Sequence, residues 1–189
     1  MLIRAAIVPP EEALEELWVA TRALRMVPGV DAVPTDKLDI PITSFGNLIP
    51  PDCVRLADKL RGAVEGAMGP MVWFQGLRLE ENATIVLGLA GDVDPIADLA
   101  RYVPEAAETL GLYVDRRRFR PQIKFASVDP EMQVAMLRPA WGAVADWTGT
   151  PWAVPGLSLL RTRWSGSQSF PEEYDLIEMA WPDQADASA

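Results

Sequence analysis

Histidine is missing from all 189 residues. That absence excludes histidine-bound zinc, Ser-His-Asp and Cys-His nucleophilic arrangements, and any mechanism in which imidazole carries the proton. Cysteine occurs once, at Cys53, so neither a disulfide within the chain nor a multi-thiolate metal site is expected. Positive charge is scarce: 17 Lys+Arg stand against 27 Asp+Glu, a formal charge of -10. Such a balance disfavours duplex DNA as a partner, because non-specific binding neutralises many phosphates. No apolar run approaches the roughly 18 residues of a membrane span, so no membrane association is expected. The opening MLIRAAIVPPEE carries one Arg before turning acidic and fits neither a secretory signal nor a transit peptide, which makes a cytoplasmic location the expectation. No pattern calls for a cofactor or a metal.

What is present is ordinary for a folded chain: 49% hydrophobic and 23% charged residues, over about one domain's length. Residues 2–8 read as a strand stopped by Pro9-Pro10. From Glu11 the period becomes helical, with Leu14, Leu17, Trp18, Thr21 and Leu24 on one face. A β-like stretch ends in Leu38-Asp39-Ile40-Pro41-Ile42. Pro50-Pro51-Asp52 opens a helix running to about Met68, with Val54, Leu56, Leu60 and Val64 inward. Strands over 71–79 and 83–90 flank a Glu80-Glu81-Asn82 turn, and Asp94-Pro95 starts a helix ending near Gly111. Strands near 112–114 and 119–127, a helix over 130–147, and strands near 152–164 and 174–181 follow. Residues 182–189 have no pattern and are expected to fray. The β segments arrive in pairs, which favours α+β with antiparallel sheets over a doubly wound parallel sheet.

The chain also resembles itself. Asp39-Ile-Pro41-Ile is followed by a Pro-started helix and a strand carrying Gly76-Leu-Arg-Leu, 37 residues on. Gln122-Ile-Lys124-Phe is followed by the same order and Gly156-Leu-Ser-Leu, 34 residues on. Duplication of one unit predicts two halves facing each other across a cleft, with Asp39-x-Pro41 and Gln122-x-Lys124 in equivalent places.

At these segments the sequence resembles the two-histidine phosphoesterase superfamily, in particular the bacterial 2'-5' RNA ligase-like and RNA 2',3'-cyclic phosphodiesterase proteins. Their first motif is of the type V-P-x-x-x-x-H-x-T-L-x-F-x-G, and their second is F-R-P-H-x-T-L. Here the first reads Val33-Pro-Thr-Asp-Lys-Leu-Asp39-Ile-Pro41-Ile-Thr-Ser-Phe-Gly46, and the second Phe119-Arg120-Pro121-Gln122-Ile-Lys124-Phe. The frame matches at Val33, Pro34, Gly46, Phe119, Arg120 and Pro121. The histidine positions hold Asp39 and Gln122, and the threonine positions hold Pro41 and Lys124. A register shifted by two puts Pro41 and Thr43 on the first motif's positions, at the cost of the matches to Val33, Pro34 and Gly46.

The resemblance implies α+β with two pseudo-symmetric lobes, each an antiparallel sheet with helices outside, and a cleft between them. Residues 1–181 would form one bilobal domain. In the family the two histidines work as acid and base while the threonines hold the phosphate. Gln122 cannot exchange protons near neutral pH, and Pro41 has neither hydroxyl nor N–H. Asp39, at an ordinary carboxylate pKa, is a poor base. Lys124 and Arg120 suit a phosphate oxygen. The expectation is a catalytically inactive relative that binds a nucleotide, an RNA end or a protein partner, with Lys124, Arg120 and Asp39 as ligand-binding candidates. The alternative is a phosphodiesterase rewired around Asp39 and Lys124.

Plainer readings stand beside these. Asp39 also fits a solvated strand-end carboxylate, and Lys124 with Arg120 a surface pair. Arg116-Arg117-Arg118 is the one basic run in an acidic chain, and such runs are usually solvated faces. Most of the seven tryptophans suit core packing, and adjacent Trp73 and Phe74 point to opposite faces of a strand. Cys53, without a histidine to pair with, reads as structural. Proline at 41 inside a strand predicts an edge or a bulge.

Overall fold

The computed structural model describes residues 1–115, 118–131 and 134–180. Among the described residues nine strands lie in two antiparallel sheets. The first sheet has the order β3-β1-β8-β9, built from β1 (Leu2–Ile7), β3 (Ile40–Asn47), β8 (Gly156–Ser165) and β9 (Gln168–Glu178). The second has the order β2-β6-β5-β4-β7, from β2 (Val30–Ala32), β4 (Met71–Leu79), β5 (Thr84–Gly91), β6 (Gln122–Val128) and β7 (Trp152–Ala153). This is the α+β architecture with antiparallel sheets that the paired β segments predict, in the two lobes that the repeat and the resemblance imply.

The two halves of the repeat do not fold separately. β3 of the first half sits in one sheet with β8 of the second, while β6 of the second half sits with β4 of the first. After β3 the chain crosses to the other sheet at β4, and after β6 it passes through β7 of the same sheet before crossing to β8. The lobes match in order all the same: β3, β1, β8 in one and β6, β5, β4 in the other. The two repeat glycines do not play the same part. Gly76 is an extra residue inside β4 at φ +62°, whereas Gly156 opens β8 without a left-handed φ.

Helices cover the sheets where their apolar faces dictate. In α3 (Pro50–Val64), Pro50 and Pro51 occupy the first turn, where a missing N–H costs nothing. Its phase is set by Cys53, Leu56, Ala57, Leu60 and Val64, all buried against β8 and β9. Val54 falls outside that stripe and is 51% exposed, which corrects its inward assignment. α4 (Asp94–Thr109) buries Ile96, Val103, Ala106 and Ala107 and lies on β3. α1 (Glu11–Ala20) buries Ala13 and Leu17, and the four-residue α2 (Arg22–Arg25) adds Leu24. Ile3, Ala5, Ala6 and Ile7 of β1 are fully buried, and one continuous core joins both sheets to the helices.

Two segments depart from the sequence pattern. Residues 112–114 are not a strand; a bridge between Asp115 and Ser44 and the bond from the Thr43 hydroxyl to the Asp115 carbonyl tie this loop to β3. In place of a helix over 130–147 there is a 3-10 turn, Val134–Leu137, and a single helical turn, α5 (Arg138–Trp141). Pro139 has no N–H to continue a helix already begun, and it sits instead in a new first turn. Residues 132–133, 116–117 and 181–189, which include Arg116, Arg117 and the expected tail, lie outside the described residues. Among the described residues no helix is long and apolar enough to cross a membrane.

Candidate functional site

β3 is an edge strand and β6 is its counterpart in the second sheet, so the two motif strands border the gap between the sheets. Both are irregular there. On β3 the pairing with β1 shifts register beside Pro41, leaving Ile42 unopposed between Pro41↔Ala6 and Thr43↔Ala5. On β6 the pairing with β5 shifts between Lys124↔Val86 and Ala126↔Ile85. The edge position and the bulge are what a proline within a strand requires.

Between the strands lies a cleft of about 650 Å³. Pro41, Ile42, Thr43 and Ser44 line it from β3, and Gln122 and Lys124 from β6. Ile123 is buried in the core, as strand alternation demands, while Ile42, unopposed at the bulge, is largely buried yet still reaches the cleft wall. Arg4 from β1, Glu80 from the β4–β5 turn and Asp115, Arg118 and Arg120 from the α4–β6 loop complete the polar wall. Four cationic and two acidic side chains thus line a cleft in a chain of formal charge -10. A concave site with a surplus of one sign in low-dielectric walls focuses its field on an incoming anion.

Asp39 is placed differently from its expected neighbours. Its carboxylate accepts two hydrogen bonds of 2.5 Å from Arg4, Nη1 to Oδ1 and Nη2 to Oδ2, with the Asp39 side chain only 8% exposed. The partner of Asp39 is therefore Arg4, not Lys124. It is Arg4 that reaches the cleft wall; Asp39 does not line it, whereas Pro41 and Thr43, the positions of the shifted register, do so together with Ile42 and Ser44.

Gln122 is held on both sides. Arg78 donates to its Oε1 at 3.2 Å, and its Nε2 donates to Glu80 Oε1 at 3.2 Å. Arg120 stands 3.7 Å from the same Glu80 oxygen, so part of its charge is spent within the wall. Lys124 is exposed and has no ion-pair partner among the described residues. Thr43 Oγ1 donates to the carbonyl of Asp115 at 3.2 Å, and the Asp115 N–H donates to the Ser44 carbonyl at 2.9 Å. These bonds tie the arginine-bearing loop to β3.

Arg4, Arg78 and Glu80 escape a reading confined to the two motifs. The signal for Arg4 was present: a lone charge in the apolar run Leu2-Ile3-Arg4-Ala5-Ala6-Ile7 needs a partner or a cavity. Cys53 contributes nothing here. It is fully buried, and burial pushes its thiol above the ordinary range. Among the tryptophans, Trp152 packs on Phe74 in the core at 5.7 Å between ring centres, but Trp164 at the β8–β9 hairpin tip is 68% exposed. Among the described residues no cluster of three His, Cys, Asp or Glu side chains is arranged to hold a metal.

No protein-family model and no curated protein matches the sequence. Solved structures do match the fold. A Thermus thermophilus protein, TT0787, superposes with a TM-score of 0.71 at 19% identity, covering 93% of this chain and 96% of that one. Escherichia coli LigT in apo form gives 0.73 at 17% identity, covering 95% and 97%. LigT complexed with 3'-AMP gives 0.68 at 16% identity, covering 92% and 94%. The chain therefore has the fold of LigT and TT0787 over 92–95% of its length.

Proposed function

We propose that this protein binds a phosphorylated ligand, a nucleotide or an RNA end, in the cleft between β3 and β6 and does not turn it over. The observation that carries the reading is the pair of strands bordering the cleft. Where the resembling enzymes place two imidazoles, this chain places side chains that move no proton near neutral pH. Gln122 is neutral and fixed between Arg78 and Glu80. Pro41 offers no donor at all. What the cleft retains is the means to hold an anion: Lys124, unpaired among the described residues, with Arg118 and Arg120 on the loop. The nucleotide complex of LigT belongs to LigT, and it supports the ligand class by analogy of fold alone.

The competing reading, a phosphodiesterase rewired around Asp39 and Lys124, needs Asp39 as a base. Both of its oxygens are already engaged by Arg4. General acid–base groups each contribute ~10²–10⁴-fold, so a cleft lacking both should show no hydrolysis of nucleoside 2',3'-cyclic phosphates above the buffer rate. Purified protein is incubated with such a substrate and, in parallel, titrated with inorganic phosphate and a nucleoside monophosphate at low salt. Binding without turnover supports the proposal. Turnover that disappears in Asp39→Asn replaces it with the rewired enzyme, and no binding of either anion removes it.

A further inference from the structure

The wall that holds an anion also contains a group that repels one. Glu80 lines the cleft beside Gln122, Lys124, Arg118 and Arg120. An ionised carboxylate is an acceptor only, so it opposes every anion except one that brings a proton of its own.

Glu80 is held firmly in that place. Its N–H donates to the Thr84 carbonyl at 2.8 Å, and its carbonyl accepts from the Ala83 N–H at 3.1 Å, so the β4–β5 turn fixes its backbone. Arg78 donates to the oxygen of the Gln122 amide, which directs the amide nitrogen onto Glu80 Oε1. Arg120 lies 3.7 Å from that same oxygen. One carboxylate oxygen is thus used twice, while Oε2 has no partner among the described residues and the side chain is 31% exposed. Asp115, the other acid of the wall, has partners of its own.

We propose that Glu80 makes the cleft selective for an anion carrying a hydroxyl proton: a phosphate monoester or inorganic phosphate, in preference to a sulfate, a phosphodiester or a cyclic phosphate. The inference rests on the cleft being an anion site, and it adds which phosphorylated ends that site accepts. A P–OH donates to Glu80 Oε2 while its other oxygens take the cations of the same wall. Sulfates and diesters have no such proton near neutral pH and set a lone pair against the carboxylate. A site built to hydrogen-bond a hydroxyl rejects the analogue that lacks it. For an RNA end, the terminal monoester is favoured over its cyclic form.

The test titrates inorganic phosphate and sulfate, two tetrahedral anions of similar size, by calorimetry at pH 6 and low salt. Sulfate carries the greater charge at that pH, so cations alone would rank it first. One charge-assisted hydrogen bond predicts instead that phosphate binds at least about 10-fold tighter. In Glu80→Gln the amide oxygen still accepts from Gln122, which turns the amide nitrogen, a donor, to where Oε2 stood. Sulfate should then bind more tightly than to wild type, a gain that an unfolded variant cannot show, and the preference for phosphate should vanish or reverse. Glu81→Gln removes the same charge from the exposed neighbour that does not line the cleft, and it should keep the wild-type preference. A nucleoside 3'-monophosphate, whose second pKa is near 6, should likewise outbind its 2',3'-cyclic form. Equal binding of phosphate and sulfate to the wild type overturns the proposal while leaving the anion site intact. So does a cyclic form that binds as well as the monophosphate, a preference undiminished in Glu80→Gln, or one lost equally in Glu81→Gln. Binding of neither phosphate nor sulfate removes the anion site and the selectivity together.

Discussion

Arg4 and Asp39 are joined by two parallel hydrogen bonds of 2.5 Å across the β1–β3 edge, at the rim of the cleft. A forked guanidinium and a carboxylate meet in this way when each fixes the other's geometry. Arg4 faces the cleft wall with its charge already balanced, so Asp39 governs how much of that charge an incoming anion feels.

Asp39→Asn should therefore have two separable effects. Removing one partner of a half-buried pair costs about 1–3 kcal/mol of stability, read as a lower urea midpoint. Arg4 is at the same time released toward the cleft, and inorganic phosphate should bind more tightly at low salt. Unchanged phosphate affinity would mean that Arg4 does not meet the anion.

Lys124→Ala should weaken phosphate binding by about 10-fold, the effect of losing one charge-assisted contact. The side chain is exposed and unpaired among the described residues, so stability should stay within about 0.5 kcal/mol of wild type. The difference should shrink in 1 M salt, where the screening length falls to about 3 Å. A salt-independent loss would point to a packing role instead.

Two glycines make a matched pair of opposite sign. Gly76 has φ +62°, and a Cβ there would stand 2.7 Å from the Ala145 carbonyl oxygen. Gly76→Ala should cost about 1–3 kcal/mol or more, because strained backbone and a backbone clash add. Gly62 lies inside α3 with nothing within 4 Å of the same added atom. Gly62→Ala should stabilise by about 0.5–1 kcal/mol. Thermal melts of the two variants check both.

Glu172 connects stability to pH. Its hydrogen bond from Arg161, followed by that from Arg163, lowers its carboxyl from 4.5 to about 2. A depressed acid stabilises the fold above its unfolded pKa and loses that contribution as pH falls through the folded value. The loss should run from about pH 4.5 down to about pH 2. Glu172→Gln removes the ionisation, so its stability relative to wild type should improve across that window. Parallel profiles for the two proteins would show that the pair does not persist in solution.

Much of this architecture can be read from residue pattern because local chemistry and fold agree. The alternation Gln122, Ile123, Lys124, Phe125 fixes which side chains face the cleft and which the core, and β6 obeys it. Pro50-Pro51 and Asp94-Pro95 start the helices they predict. β3 resists the same reading. Its bulge at Ile42 and the crossing from β2 through residues 33–39 decide which residues line the cleft, and neither leaves a periodic trace. Motif spacing therefore set Asp39 opposite Lys124, while pairing across strands gave it to Arg4 in a segment 35 residues earlier. The stretch 130–147 fails for the opposite reason: an apolar pattern of helical period is overruled by Pro139.

The position of β1 between β3 and β8 sets a timetable for synthesis. Arg4 pairs with Ser44 on one side and with Leu160 on the other, 156 residues further along the chain. At ~5–20 residues per second, the first strand to leave the ribosome waits on the order of ten seconds for its second neighbour. Throughout that interval one edge of an apolar strand is open to pairing with a neighbouring nascent chain. Expression should consequently be limited by aggregation of incomplete chains more than by the stability of finished ones, and slower synthesis should lower the soluble yield.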